Sequence, residues 1–176
     1  RTANRFYAPD RSLVVNELTG PLLARLSGGR FLDGVTFDHA TARPVDWLKG
    51  AALLIRREAW DAVGPLDERF FLYAEEIDWC KRAAAAGWTV WFEPAAEVVH
   101  EGGGASRVVQ AWSLKQEQLA RLQYIAKHHG ERAAAFYRAR TRVALTLRAG
   151  FARARQQPDA TALSELATWY RDGLGR

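Results

Sequence analysis

Gly64-Pro65-Leu66-Asp67-Glu68-Arg69-Phe70-Phe71-Leu72-Tyr73-Ala74-Glu75-Glu76-Ile77-Asp78-Trp79-Cys80 is the stretch from which the fold is read. Gly64-Pro65 ends whatever helix precedes it. An aromatic cluster, Phe70, Phe71 and Tyr73, then runs into three acids, Glu75, Glu76 and Asp78. Ile77, Cys80 and Ala84 recur at helical spacing, so a helix is expected from Glu75 to Ala86, with Gly87 as its stop. Acids in a first helical turn are favoured by the macrodipole, by about 0.3–1 kcal/mol each. Asp78 and Arg82 are four residues apart and add a few tenths of a kcal/mol as a helical pair. Helix-end electrostatics therefore explain the acids without any function. They do not explain why two glutamates follow an aromatic run with so little polar padding.

Downstream, Trp88, Val90 and Phe92 alternate with Thr89 and Trp91, the pattern of a strand. Pro94 breaks it, and Glu97–His100 reads as a second short strand ending in a histidine. Gly102-Gly103-Gly104 follows, but it lacks the lysine and the spacing of a phosphate loop. Upstream, Arg56–Val63 reads as a short helix and Leu53-Leu54-Ile55 as a buried strand. Gly50-Ala51-Ala52 leaves the backbone approachable, which serves a ligand or the close packing of two elements equally well. Residues 30–46 read as loop with short extended pieces, and Asn16–Leu26 as a helix stopped by Gly28-Gly29.

Residues 106–150 read as two helices divided by Gly130. Val108, Trp112, Leu119, Leu122 and Ile125 stripe the first. The second carries Phe136, Val143 and Leu147 on one side and arginines elsewhere. Between Arg132 and Gln157 there are seven arginines and no acid. Such a block suits an anionic partner such as a phospholipid surface, a phosphate-bearing substrate or nucleic acid, or is simply a solvated face. No recognised motif points to nucleic acid. A last helix is expected over Ala160–Tyr170.

With 176 residues, 48% of them hydrophobic and 26% charged, the composition is that of one globular domain with a real core. No run of eighteen apolar residues is present, which excludes a membrane-spanning segment in this sequence. The single cysteine, Cys80, excludes an internal disulfide and reads as a small buried hydrophobe. Methionine is missing even at position 1, so the chain is expected to be part of a longer polypeptide.

Between residues 45 and 106 the sequence resembles family 2 glycosyltransferases of the bacterial rhamnosyltransferase-like branch, in the C-terminal half of their catalytic domain. The resemblance rests on Asp46-Trp47 before Gly50-Ala51, on Arg56-Arg57 and on Gly64 to Phe71. It continues through Tyr73 to Arg82, Ala86-Gly87-Trp88, Pro94 to His100 and Gly103 to Ser106, all in the family's order. It implies a GT-A (Rossmann-like) α/β fold, with residues 1–106 forming the acceptor and base half and 107–176 a helical extension. It implies inverting transfer from a nucleotide-diphosphate sugar to a saccharide or lipid-linked acceptor of the cell envelope, on the cytoplasmic side of the membrane.

Under this resemblance Glu76 is the general base, Glu75 its helper and Asp78 the third acid of the group, supporting the helix end. Trp47, Gly50 and Ala51 line the acceptor side, and His100 sits near the diphosphate and a divalent metal, Mg or Mn. The family carries aspartate where Glu76 stands, so the carboxylate here reaches one methylene further. The family's Asp-x-Asp donor motif occurs nowhere in the chain. The chain alone is therefore expected to be inactive. The competing expectation is a degenerate glycosyltransferase half retained for docking. The Arg132–Arg155 region is the expected place of any peripheral membrane contact.

Overall fold

The computed structural model describes residues 40–99, 110–157 and 160–172, together with the backbone of Ala3–Asn4. The expected helix over Asn16–Leu26, His100 and the Gly102–Ser106 segment lie outside the described residues. The chain forms two compact units, Arg1–Gly102 and Gly103–Arg176.

The first unit is mixed α/β. Residues 43–48 form an extended run that changes partner at Asp46: β2 (Arg43–Val45) pairs antiparallel with β4 (Val90–Phe92), and β3 (Trp47–Leu48) pairs antiparallel with β1 (Ala3–Asn4). In β4 the alternation holds, with Phe92 buried and Trp91 outward. Two helices follow the run, α1 (Arg57–Val63) and α2 (Glu75–Ala85). The core gathers Trp47, Phe70, Ile77, Trp79, Cys80 and Phe92, each large apolar side chain contributing about 1.5–3 kcal/mol by leaving water.

The end of α1 is gripped by α2. Gly64 has φ 84° and ψ −179°, a conformation open in practice to glycine alone. Its bend turns three successive carbonyls toward α2. Arg82 Nη1 donates to Val63 O at 2.8 Å, Trp79 Nε1 to Gly64 O at 2.8 Å and Arg82 Nη2 to Pro65 O at 2.7 Å. Arg82 Nε donates to Asp78 Oδ2 at 2.9 Å, and the Trp60 and Trp79 rings stack at 6.3 Å. Carbonyls at a helix C-terminus carry partial negative charge, so a guanidinium satisfies both their hydrogen bonds and the dipole.

Three expectations are corrected here. Leu53-Leu54-Ile55 is not a strand: residues 49–52 turn the chain out of the sheet, and Leu54 is fully exposed. Glu97–Val99 is not a strand either, and Val99 is 93% exposed. On α2 the buried face uses Ala83 rather than Ala84, on a helix whose Trp79 stacks on Trp60 of α1.

The second unit is helical: α3 (Gln110–His129), α4 (Glu131–Ala154) and α5 (Ala160–Arg171). Tyr124, Ile125 and Tyr137 are its most buried large residues. The OH of Tyr170 donates to Gln118 Oε1 at 2.8 Å, tying α5 to α3 inside the core. The inward face of α4 is Ala134, Tyr137, Thr141, Ala144, Leu145, Ala149 and Ala152. Phe136, Val143 and Leu147 point to solvent, so the side carrying them does not dock on the unit. Small alanines let the helices approach closely, and the bulky residues are left outside. No helix among the described residues is long and apolar enough to cross a membrane.

Candidate active site

The start of α2 is set by an unusual backbone. Tyr73 and Ala74 both have φ 70°, and Ala74 serves as N-cap at ψ −4° without a side-chain cap. Two successive left-handed residues, neither of them glycine, cost on the order of 1–3 kcal/mol each and persist where surrounding packing imposes them. Here the packing is the burial of Phe70, Ala74 and Ile77. The result is an abrupt helix start, which delivers Glu75 and Glu76 to the positive end of the helix dipole.

Glu76 is held from across the unit. The Gly50 N–H donates to Glu76 Oε1 at 3.2 Å. A Cβ at position 50 would stand 3.7 Å from Cβ, Cγ and Cδ of Glu76, so the Gly50 backbone lies directly against that side chain. Glu76 Oε2 is buried and has no hydrogen-bond partner, and the same is true of Glu75 Oε2. Buried carboxylate oxygens are nearly always satisfied, so two such atoms on adjacent residues are exceptional. Burial pushes the Glu75 carboxyl above the usual carboxylate range. A backbone hydrogen bond opposes the shift and the charge of Glu76 adds to it. Burial likewise raises the Cys80 thiol, against a backbone bond from Leu48, and Glu76 contributes again. Cys80 is a neutral core residue.

The direction of the Glu75 shift has a sign that can be checked. Its folded carboxyl keeps its proton to higher pH than the unfolded one, whose ordinary value is 4.5. The stability it contributes is complete below that value and is lost as pH rises through the raised one. Glu75→Gln is therefore expected to raise the melting temperature at neutral pH and to leave it unchanged below pH 4.5. A pH series of thermal melts on both chains measures this; a neutral-pH loss of stability would contradict the burial account.

The remaining expected site residues fall in different places. Gly50 and Glu76 are brought together. Ala51 is exposed in the turn beside them. Trp47 is buried in the core at 6% exposure. Asp78 is 0% exposed and bonded to Arg82, on the scaffold side of α2. His100 lies outside the described residues. Among the described residues no group of three or more His, Cys, Asp or Glu could hold a metal ion. Sequence reasoning missed the left-handed pair Tyr73-Ala74, which no residue type announces.

A basic group that takes a proton needs an oriented carboxylate with one oxygen uncommitted, within reach of a hydroxyl. Glu76 meets the first two conditions, with Oε1 held by the Gly50 N–H and Oε2 uncommitted but buried. Comparison with known proteins finds similarity to glycosyltransferases. An N-acetylglucosaminyl-diphospho-decaprenol L-rhamnosyltransferase of Mycobacterium tuberculosis is 38% identical over 87 residues, 49% of this chain and 28% of that protein. Rhamnosyltransferase WbbL of Escherichia coli is 28% identical over 83 residues, 47% of this chain and 31% of its own length. The low-salt glycan biosynthesis hexosyltransferase Agl10 of Haloferax volcanii is 42% identical over 41 residues, 23% of this chain and 13% of its own. The chain thus spans less than a third of the length of each of these relatives. No protein-family model and no solved structure matches it.

Proposed function

We propose that this chain carries the acceptor and base part of an inverting glycosyltransferase with a GT-A catalytic domain. The donor is a nucleotide-diphosphate sugar and the acceptor a lipid-linked or cell-envelope saccharide at the inner face of the membrane. The observation that supports this reading best is the Glu76 carboxylate. One oxygen is fixed by the Gly50 N–H and the other is buried without a partner. The similarity to glycosyltransferases, one of them named for a decaprenol-linked substrate, agrees with it.

In this reading the acceptor hydroxyl gives its proton to the Glu76 carboxylate. The hydroxyl oxygen forms the new bond to the anomeric carbon as the bond to the nucleoside diphosphate breaks. Burial holds the Glu75 carboxyl above the usual carboxylate range, beside the base. A divalent metal supplies charge stabilisation of the departing diphosphate in such chemistry. The described residues do not by themselves make a metal set, and the complete enzyme is assigned that site, with His100 as one ligand.

Without an Asp-x-Asp motif in the sequence, the chain by itself is expected to transfer nothing from a panel of nucleotide-sugars to lipid-linked saccharide acceptors. The complete protein encoded by the gene is expected to transfer one of them. Silence from the complete protein would favour the second reading, a docking module derived from a glycosyltransferase. Transfer by the chain alone would refute the assignment of donor binding to residues outside it.

A further inference from the structure

We infer that the outward face of α4 is a docking surface for an anionic phospholipid bilayer. Phe136, Val143, Leu147 and Phe151 recur at intervals of seven, four and four residues, which places them in one row along the helix. All four are more than half exposed. The row runs about 22 Å along the helix axis, a long apolar strip to leave in water.

Its surroundings say what covers it. The seven arginines between Arg132 and Gln157 come without a single acid. Among the described residues no acid pairs with Arg142 or Arg153, which border the row on one side. The Arg155 guanidinium lies 4.1 Å from the centre of the Phe151 ring. Beside the row, a groove of about 620 Å³ between α4 and α5 is lined by Arg142, Thr146, Arg153, Ser164, Thr168 and Arg171. Arg171 is paired with Asp172 at 3.0 Å; Arg142, Arg153 and the hydroxyls around a cavity of that size suit a phosphate headgroup. An apolar row with flanking arginines that can reach upward is the pattern of a helix lying in a bilayer interface.

Other occupants fit less well. A second copy placed on this face would bring two arginine-rich α4 faces together. A nucleic-acid backbone would use the arginines and leave the apolar row without a role. The surface belongs to the helical unit alone and is independent of the transferase reading.

Flotation of the 176-residue chain with vesicles tests it. The chain is expected to bind vesicles of phosphatidylcholine and phosphatidylglycerol in equal parts, and to bind pure phosphatidylcholine far less. Combining Arg142→Gln, Arg153→Gln and Arg171→Gln should lower binding about 100-fold. Combining Phe136→Ser, Leu147→Ser and Phe151→Ser should lower it at least about 100-fold. All six positions are exposed, and circular dichroism confirms that the variants fold. Equal binding to neutral vesicles, insensitivity to the serine changes, or loss of self-association as their only effect would overturn the proposal. So would binding to duplex DNA that survives the serine changes while vesicle binding is absent.

Discussion

Glu76→Gln in the complete enzyme is expected to reduce kcat by roughly 10²–10⁴-fold, the usual contribution of a positioned general base. Glutamine keeps the Oε1 acceptor for the Gly50 N–H, so the geometry of the site should survive. It removes the basic oxygen, whose task arises only as the acceptor proton leaves. KM for the acceptor should therefore change little, and the melting temperature should not fall. Glu76→Asp is the informative companion. It restores a carboxylate but draws it back by one methylene, away from Gly50. A displacement of that order costs about 100-fold, so turnover should lie between wild type and Gln. Near-normal turnover in Glu76→Gln would show that another group takes the proton, and Glu75 would be the first to examine.

The second large effect is on stability. Arg82→Ala is expected to destabilise the first unit by about 3 kcal/mol, the lower end for removing one partner of a buried ion pair. Asp78 is wholly buried, and Arg82 is 24% exposed, so water replaces the lost guanidinium poorly. The same change strips donors from the Val63 and Pro65 carbonyls. Arg82→Lys restores the charge but not the forked donors, and should recover only part of the loss. Arg69 is a useful contrast. It makes a well-formed pair with Asp67, with Nη2 at 2.6 Å, but on the surface, where loss of such a pair changes stability little. Denaturant titration of the three variants orders them. A mild Arg82→Ala, close to Arg69→Ala, would mean that the grip on α1 is maintained by Trp79 alone.

What the sequence made legible follows from how local each signal is. The acids at the head of α2 and the stop at Gly87 were readable because capping and termination act within a few residues. The closeness of backbone at Gly50 was readable from its missing side chain, although its partner, Glu76, was not. The Asp78–Arg82 pair looked like an ordinary surface pair. Its burial depends on the Gly64 bend, which turns carbonyls toward Arg82. The Leu53-Leu54-Ile55 run misled because apolar content does not choose between a buried strand and an exposed turn exit. On α4 the pattern left open whether the large residues dock, and close helix packing selected the alanines instead. The left-handed conformation of Tyr73 and Ala74 carries no residue signature at all; it is imposed by tertiary packing.

The Gly50–Glu76 hydrogen bond closes a loop of twenty-six residues. Bringing the ends of a loop that long together costs about 3 kcal/mol in chain entropy, against roughly 0.5–1.5 kcal/mol gained from one such bond. The bond is thus too weak to assemble the site. It forms because the packing of β3 and α1 on α2 has already met the entropic cost, and it only fixes the last rotamer. Proton-transfer geometry in this protein is therefore a late and dependent outcome of folding: agents that loosen the Gly64 bend should scatter the Glu76 carboxylate well before they unfold the chain.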